Sequence, residues 1–133
     1  MKELALRLRK GQDLRASIEK ICIDNNINTA VILSGVGSVY KAYIRLANAS
    51  DYLSKKQELE IVSLTGTISK GNAHLHISLS DETGNVCGGH LEKGCLVYTT
   101  CELVLGVLEE YESDRLFDED TGYDEIVFNR KEG

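Results

Sequence analysis

The 133-residue chain has no proline and no tryptophan, and only 6% of its residues are aromatic. With so little aromatic surface, ring stacking is a poor basis for its function. No apolar run approaches the roughly 20 residues of a membrane-spanning helix, so no membrane partner is expected. The first ten residues, MKELALRLRK, alternate apolar and polar side chains. They lack the unbroken apolar stretch of a signal peptide, and a cytoplasmic location is the expectation. No CxxC pair occurs among Cys22, Cys87, Cys95 and Cys101, which excludes a zinc knuckle. Each cysteine has apolar neighbours, the setting of reduced core thiols rather than disulfides.

Basic charge is also scarce. The formal net charge is -6, and it is unevenly placed. Glu109 to Glu125 holds nine acidic residues and one arginine, a local charge of -8, so the remainder carries -6 + 8 = +2. Such a run reads as a solvated, mobile face. A protein built to grip phosphate backbones needs a basic stripe, and the one N-terminal cluster (Lys2, Arg7, Arg9, Lys10, Arg15, Lys20) alternates with apolar residues.

What is present is the pattern of one α+β domain spanning residues 1–133, with no repeat and no low-complexity linker. Leu4, Leu6 and Leu8 alternate with charged residues, the period-two mark of a half-buried strand. Gly11 breaks the strand and Asp13 is a plausible helix N-cap. Leu14, Ile18, Ile21 and Cys22 then form one stripe of an amphipathic helix, with Asn25 and Asn26 suited to its end. Thr29 to Leu33 predicts a buried strand, and Ser34-Gly35-Val36-Gly37-Ser38 a flexible break. Tyr40 to Ala47, Leu59 to Ile68, His74 to Ser80 and Val86 to Leu91 predict further strands, with Asp81 to Asn85 as a turn. Cys95 to Leu108 is ambiguous: Val97, Thr99 and Thr100 favour strand, whereas Cys101 to Tyr111 allows a second short helix. Ile126 to Phe128 predicts a last strand. The expected architecture is a twisted, mainly antiparallel sheet with one N-terminal helix.

All three histidines fall in one predicted hairpin. Leu75, Ile77 and Leu79 take one face of the strand, so His74 and His76 share the other. Their Cβ atoms are about 6.5 to 7 Å apart at a rise of ~3.3 Å per residue, close enough for both rings to reach one ion. His90 joins them only if the turn holds five residues, 81 to 85, which sets His76 opposite His90. A four-residue turn would send His90 to the other face, and Gly88-Gly89 could also re-aim it through a bulge. The five-residue register is favoured because it places both apolar and imidazole residues sensibly. The plainer alternative is three hydrogen-bonded surface or interface histidines. A three-histidine metal site leaves a position open for water or substrate, the arrangement of catalytic rather than closed structural sites. It permits metal-assisted hydrolysis without implying a substrate. Glu92 and Glu102 are candidates for a base or for a carboxylate behind the ligands, with simple solvation as the alternative. Gly35-x-Gly37 lacks the third glycine and the following helix of a dinucleotide fingerprint.

Leu59 to Ile68, His74 to Leu79 and Gly84 to Leu91, with the Ser34-to-Ser38 turn and the Arg7-to-Asp13 entry, closely resemble the signature of the plants-and-prokaryotes conserved (PPC) domain. The resemblance covers nearly the whole chain. It implies a compact fold with a mainly antiparallel sheet that assembles as a homotrimer. It also implies that His74, His76 and His90 are metal ligands near the subunit interface. In plant members the domain follows an AT-hook and serves assembly while the hook holds DNA. An AT-hook needs an Arg-Gly-Arg-Pro core, which a chain without proline cannot contain.

Three readings follow. One is a trimeric metal-binding domain with a small-molecule or regulatory role, its ion divalent, with zinc first among those that imidazole suits. The second is a DNA-associated module. The third is a metal-free assembly scaffold with the histidines packed at the trimer interface.

Overall fold

The computed structural model describes residues 1–132; Gly133, the last residue of the expected domain, lies outside them. β1 (Lys2–Leu8) leads to α1 (Leu14–Asp24), whose capping follows the sequence expectation. The Asp13 carboxylate accepts the Ala16 N–H at 2.9 Å with one oxygen and the Gly94 N–H at 2.7 Å with the other. Asp13 therefore satisfies a free helix N–H while tying the helix start to a distant loop. Leu14, Ile18 and Cys22 are fully buried, and each contributes on the order of 1.5–3 kcal/mol if it behaves as an ordinary buried aliphatic side chain.

The sheet is organised by one long strand, β2 (Thr29–Arg45). The expected break at Ser34 to Ser38 is not there. β2 runs through those residues, absorbing its curvature in register irregularities at Ile32/Ser34, Gly37/Val39 and Val39/Lys41. It ends at Arg45, short of Ala47. The short β3 (Tyr52–Lys55), which the pattern did not suggest, pairs with its far end. β4 (Leu59–Ser69), β5 (Asn72–Ser80) and β6 (Val86–Leu91) follow, then β7 (Leu96–Val107). The strand order is β1-β7-β2-β4-β5-β6, and β6 also pairs with β2 at Ile44 and Arg45. β2, β4, β5 and β6 thus close into a ring around a core that includes Ile44, Leu64, Leu75, Leu79 and Leu91.

The second short helix over Cys101 to Tyr111 is also absent. β7 is paired on both sides, by β1 and by β2, and a strand so enclosed has its backbone donors and acceptors satisfied in the sheet. The acidic run is not a mobile face either. It forms the hairpin of β8 (Tyr111–Asp118) and β9 (Tyr123–Arg130), a separate two-stranded sheet. The expected short last strand lies within β9. Overall the molecule is mostly β rather than α+β, with one helix among the described residues.

The hairpin is pinned to the body by buried hydroxyls. Ser113, 3% exposed, shares a 2.6 Å hydrogen bond with Thr29 and donates to Ser69 at 2.7 Å, and its N–H donates to the Asn28 side-chain oxygen. Beside it Lys70 contacts Asp114 at 2.9 Å. All four cysteines are free thiols, and burial pushes Cys22, Cys95 and Cys101 up to about 11, where little reactive thiolate forms. Among the described residues no helix is long and apolar enough to cross a membrane.

Candidate metal centre

Alternation along β5 is strict: Ala73, Leu75, Ile77 and Leu79 are buried while His74 and His76 are exposed on the opposite face. The turn does hold five residues. Asp81 organises it by accepting the N–H groups of Thr83 and Asn85, and Ser80 pairs with Val86. His76 therefore lies directly opposite His90. The three rings converge, with centroids 5.2 Å apart for His74 and His76, 5.3 Å for His74 and His90, and 5.8 Å for His76 and His90. One ring nitrogen from each lies within 4.8 Å of the others.

This convergence has an electrostatic consequence. Desolvation first, then the charges of Arg45, His74, Arg15 and His76, push the His90 imidazole down to about 4. His74 is also held below its ordinary value, chiefly by desolvation, then by His76 and Arg115, with Glu125 acting the other way. Both rings thus favour the neutral form that offers a lone pair to a metal. Within the cluster the Nδ1 atom of His90 is buried and has no hydrogen-bond partner, while its Nε2 lies 3.8 Å from the Glu92 carboxylate.

Depressed imidazoles make the metal-free fold acid-sensitive. The unfolded chain takes up protons near the ordinary value of 6.5, whereas folded His90 stays neutral to about 4, so acid favours unfolding between these limits. In chelator, urea midpoints should fall as pH drops from about 6.5 towards 4, and fall less in His90→Gln. Equal slopes for the two proteins would contradict the assignment.

Of the two candidate glutamates, only Glu92 reaches the centre. It stands beside His90 and 3.5 Å from Arg15, which also contacts Glu19 on α1. Glu102 lies opposite Arg7 and Val36 on β7, among residues that do not belong to the cluster. The paired glycines are packing positions rather than a phosphate cradle: Gly35 faces Leu64, and Gly37 faces the β7 backbone. Four of the six N-terminal basic residues are engaged within the chain. Arg7 donates to Thr100, Arg15 is held as above, Lys20 contacts Asp24, and Lys10 lies over the Tyr98 ring.

Sequence reasoning missed two arginines. Arg45 is the register partner of His90, so Arg45, His90, His76 and Thr65 form one row across β2, β6, β5 and β4. Arg115, on β8, is close enough for its charge to act on His74. The alternation of Tyr40 to Ala47 locates Arg45 on a strand but says nothing about which distant strand it meets.

A mostly antiparallel β fold carrying a histidine triad on one hairpin is the class that this geometry defines. The sequence model of the Plants and Prokaryotes Conserved (PCC) domain matches residues 1–109, and the chain belongs to that family. A curated relative, Bifunctional protein GlmU of Synechococcus sp., is 40% identical over 121 residues; the match covers 91% of this chain but 20% of that protein. The chain thus spans about a fifth of the length of that relative. A Salmonella cholerae-suis protein described only as hypothetical is 33% identical, with a TM-score of 0.94 over 98% of this chain and 94% of that one. A metal-containing protein from Archaeoglobus fulgidus is also 33% identical, with a TM-score of 0.81 over 96% and 94% of the two chains.

Proposed function

We propose that this chain is a metal-binding PPC-domain protein in which His74, His76 and His90 hold one divalent ion, zinc, at a site left open to a small-molecule ligand. The observation that carries the reading is the convergence of three imidazoles, one of them with a buried nitrogen that nothing else satisfies. An unpaired buried polar atom costs on the order of 1–3 kcal/mol, and a metal bond would offset it. The donor set fits: neutral imidazole nitrogens suit zinc, and three protein ligands leave a further position free. Glu92, 3.8 Å from the Nε2 of His90, is placed to orient the ring and would leave Nδ1 to serve as the ligand, the usual carboxylate support of a ligating histidine. When bound, such an ion supplies Lewis-acid polarisation of an oxygen ligand. The likeness to a metal-containing archaeal protein supports the same reading.

Assembly as a homotrimer belongs to this proposal. Leu116 and Tyr123 on one face of the β8–β9 hairpin, and Phe117 and Phe128 on the other, are 45–66% exposed, and an association that covers the hairpin would bury them. A net charge of -6 and the engaged N-terminal cations favour small-molecule chemistry over a nucleic-acid backbone.

Elemental analysis of untagged protein should find stoichiometric zinc, and His76→Ala should lose it while keeping its circular dichroism spectrum. Absence of metal together with weak binding of added zinc would sink the reading. Sedimentation with and without chelator separates an ion-dependent site from a metal-free scaffold.

A further inference from the structure

Two guanidinium groups sit beside the triad without partners. The Nε of Arg45, and the Nε and Nη2 of Arg115, are buried and unbonded, and neither side chain makes an ion pair among the described residues. The remaining nearby charges are accounted for. Arg15 is held by Glu19, Glu92 and the Leu91 carbonyl. Glu125 acts on His74 but pairs with neither arginine.

The fold brings these groups in from two directions. Arg45 faces the triad because antiparallel register partners share a face, and its partner is His90. Arg115 comes from the hairpin, beyond the residues that the family model matches. Ser113 is turned inward by its hydrogen bonds to Thr29 and Ser69. Arg115, two residues along the same strand, points to the same side. On β4, two residues before Ser69, Thr67 pairs with His74.

Leaving three guanidinium nitrogens buried without hydrogen-bond partners is unfavourable, and a dication on the triad would add to the positive charge. A planar guanidinium fork is also the side chain best shaped to hold an oxyanion through two parallel hydrogen bonds. We propose that Arg45 and Arg115, with the ion on the histidine triad, form a binding site for the phosphoryl group of a small phosphorylated molecule. The two arginines and the ion would make three separate anchors, and a phosphoryl group offers three terminal oxygens where a carboxylate offers two. In the single chain His74 and His76 are exposed, so a small ligand can reach them. This assignment rests on the proposed metal reading for one of its anchors and on the arginines alone for the other two.

Calorimetric titration of the untagged, metal-loaded protein with inorganic phosphate, and separately with acetate, tests it. Phosphate should bind at least about tenfold more tightly than acetate. Arg45→Gln and Arg115→Gln should each weaken phosphate binding at least about tenfold, the usual effect of losing a charge-assisted hydrogen bond. Both variants should keep full metal content. Arg45→Lys and Arg115→Lys retain the charge and lose the fork, and serve if the glutamine forms fail to fold; they too should bind phosphate more weakly. Parent-like phosphate affinity in the variants would overturn the proposal, as would equal affinity for acetate. Stoichiometric metal without phosphate binding sinks this inference and leaves the metal reading standing. Phosphate binding that needs both arginines in protein that neither carries metal nor takes up added zinc supports the arginine site and sinks the metal reading.

Discussion

Gly37→Ala is expected to cost more than about 4 kcal/mol of stability, among the largest losses a single substitution can cause. A Cβ at this position would lie 1.9 Å from the Thr100 carbonyl oxygen, 2.7 Å from the carbonyl carbon and 2.8 Å from the Cys101 Cα. All three atoms are backbone, so no rotamer change relieves the clash. Moving β7 away would open its pairing with β2 at the centre of the sheet. Domains of this size are stable by about 5–15 kcal/mol, and a loss above about 4 kcal/mol removes much of that margin. Gly66→Ala should cost a similar amount, because its Cβ would meet the His74 carbonyl oxygen at 2.1 Å with φ at +151°. It would also displace β5 at a ligand, so metal content should drop even in the fraction that folds. Gly84→Ala is the contrast. With φ at +84° and nothing within 4 Å, it should cost only about 1–2 kcal/mol of backbone strain. Thermal melting followed by circular dichroism ranks the three; a parent-like melt for Gly37→Ala would contradict the β2–β7 pairing.

Stripping the metal is expected to lower the melting temperature by on the order of 10 °C. A ligand present at about 1,000 times its Kd stabilises the folded state by about 4 kcal/mol, and each kcal/mol shifts the midpoint of a small domain by about 2–8 °C. Chelated parent protein should therefore melt well below the loaded form. His76→Ala should melt near the chelated parent and respond to neither chelator nor added zinc. A parent protein whose midpoint ignores chelator, although metal leaves it, would show that the unfolded chain binds the ion as well as the folded one does and would contradict a site built by the fold.

The histidine centre was legible because its information is local. Alternation along β5 fixes which face His74 and His76 take, and the five-residue turn, favoured because it places apolar and imidazole residues sensibly, is the one that adds His90. The helix was legible for the same reason: Asp13 and the stripe of Leu14, Ile18 and Cys22 are short-range signals. Elsewhere the deciding interactions lie far along the chain. Gly35 and Gly37 suggest a break, yet they are glycines so that other elements can approach, Leu64 at one and the β7 backbone at the other. Cys101 to Val107 is a strand because β1 and β2 enclose it, a fact absent from its own periodicity. The acidic run hides a hairpin because its charges dominate its composition, while its anchor is a single inward serine, Ser113. Arg45 and Arg115 meet the triad only through the ring closure of β6 onto β2 and the docking of that hairpin.

The confinement of all three histidines to one hairpin bears on the order of assembly. The pairing of β2 with β7 joins Ala30 to Val107, a long loop whose closure is entropically slow, whereas β5 and β6 are joined by five residues. Hairpins of this kind form in about 1–10 μs, far ahead of the long-range pairings of a closed sheet. On the proposed metal reading, capture can therefore begin on the hairpin alone, and the ion would serve as a clasp that holds β5 and β6 in register while the rest of the sheet is recruited. Refolding with zinc in the buffer should then be faster than refolding followed by zinc addition.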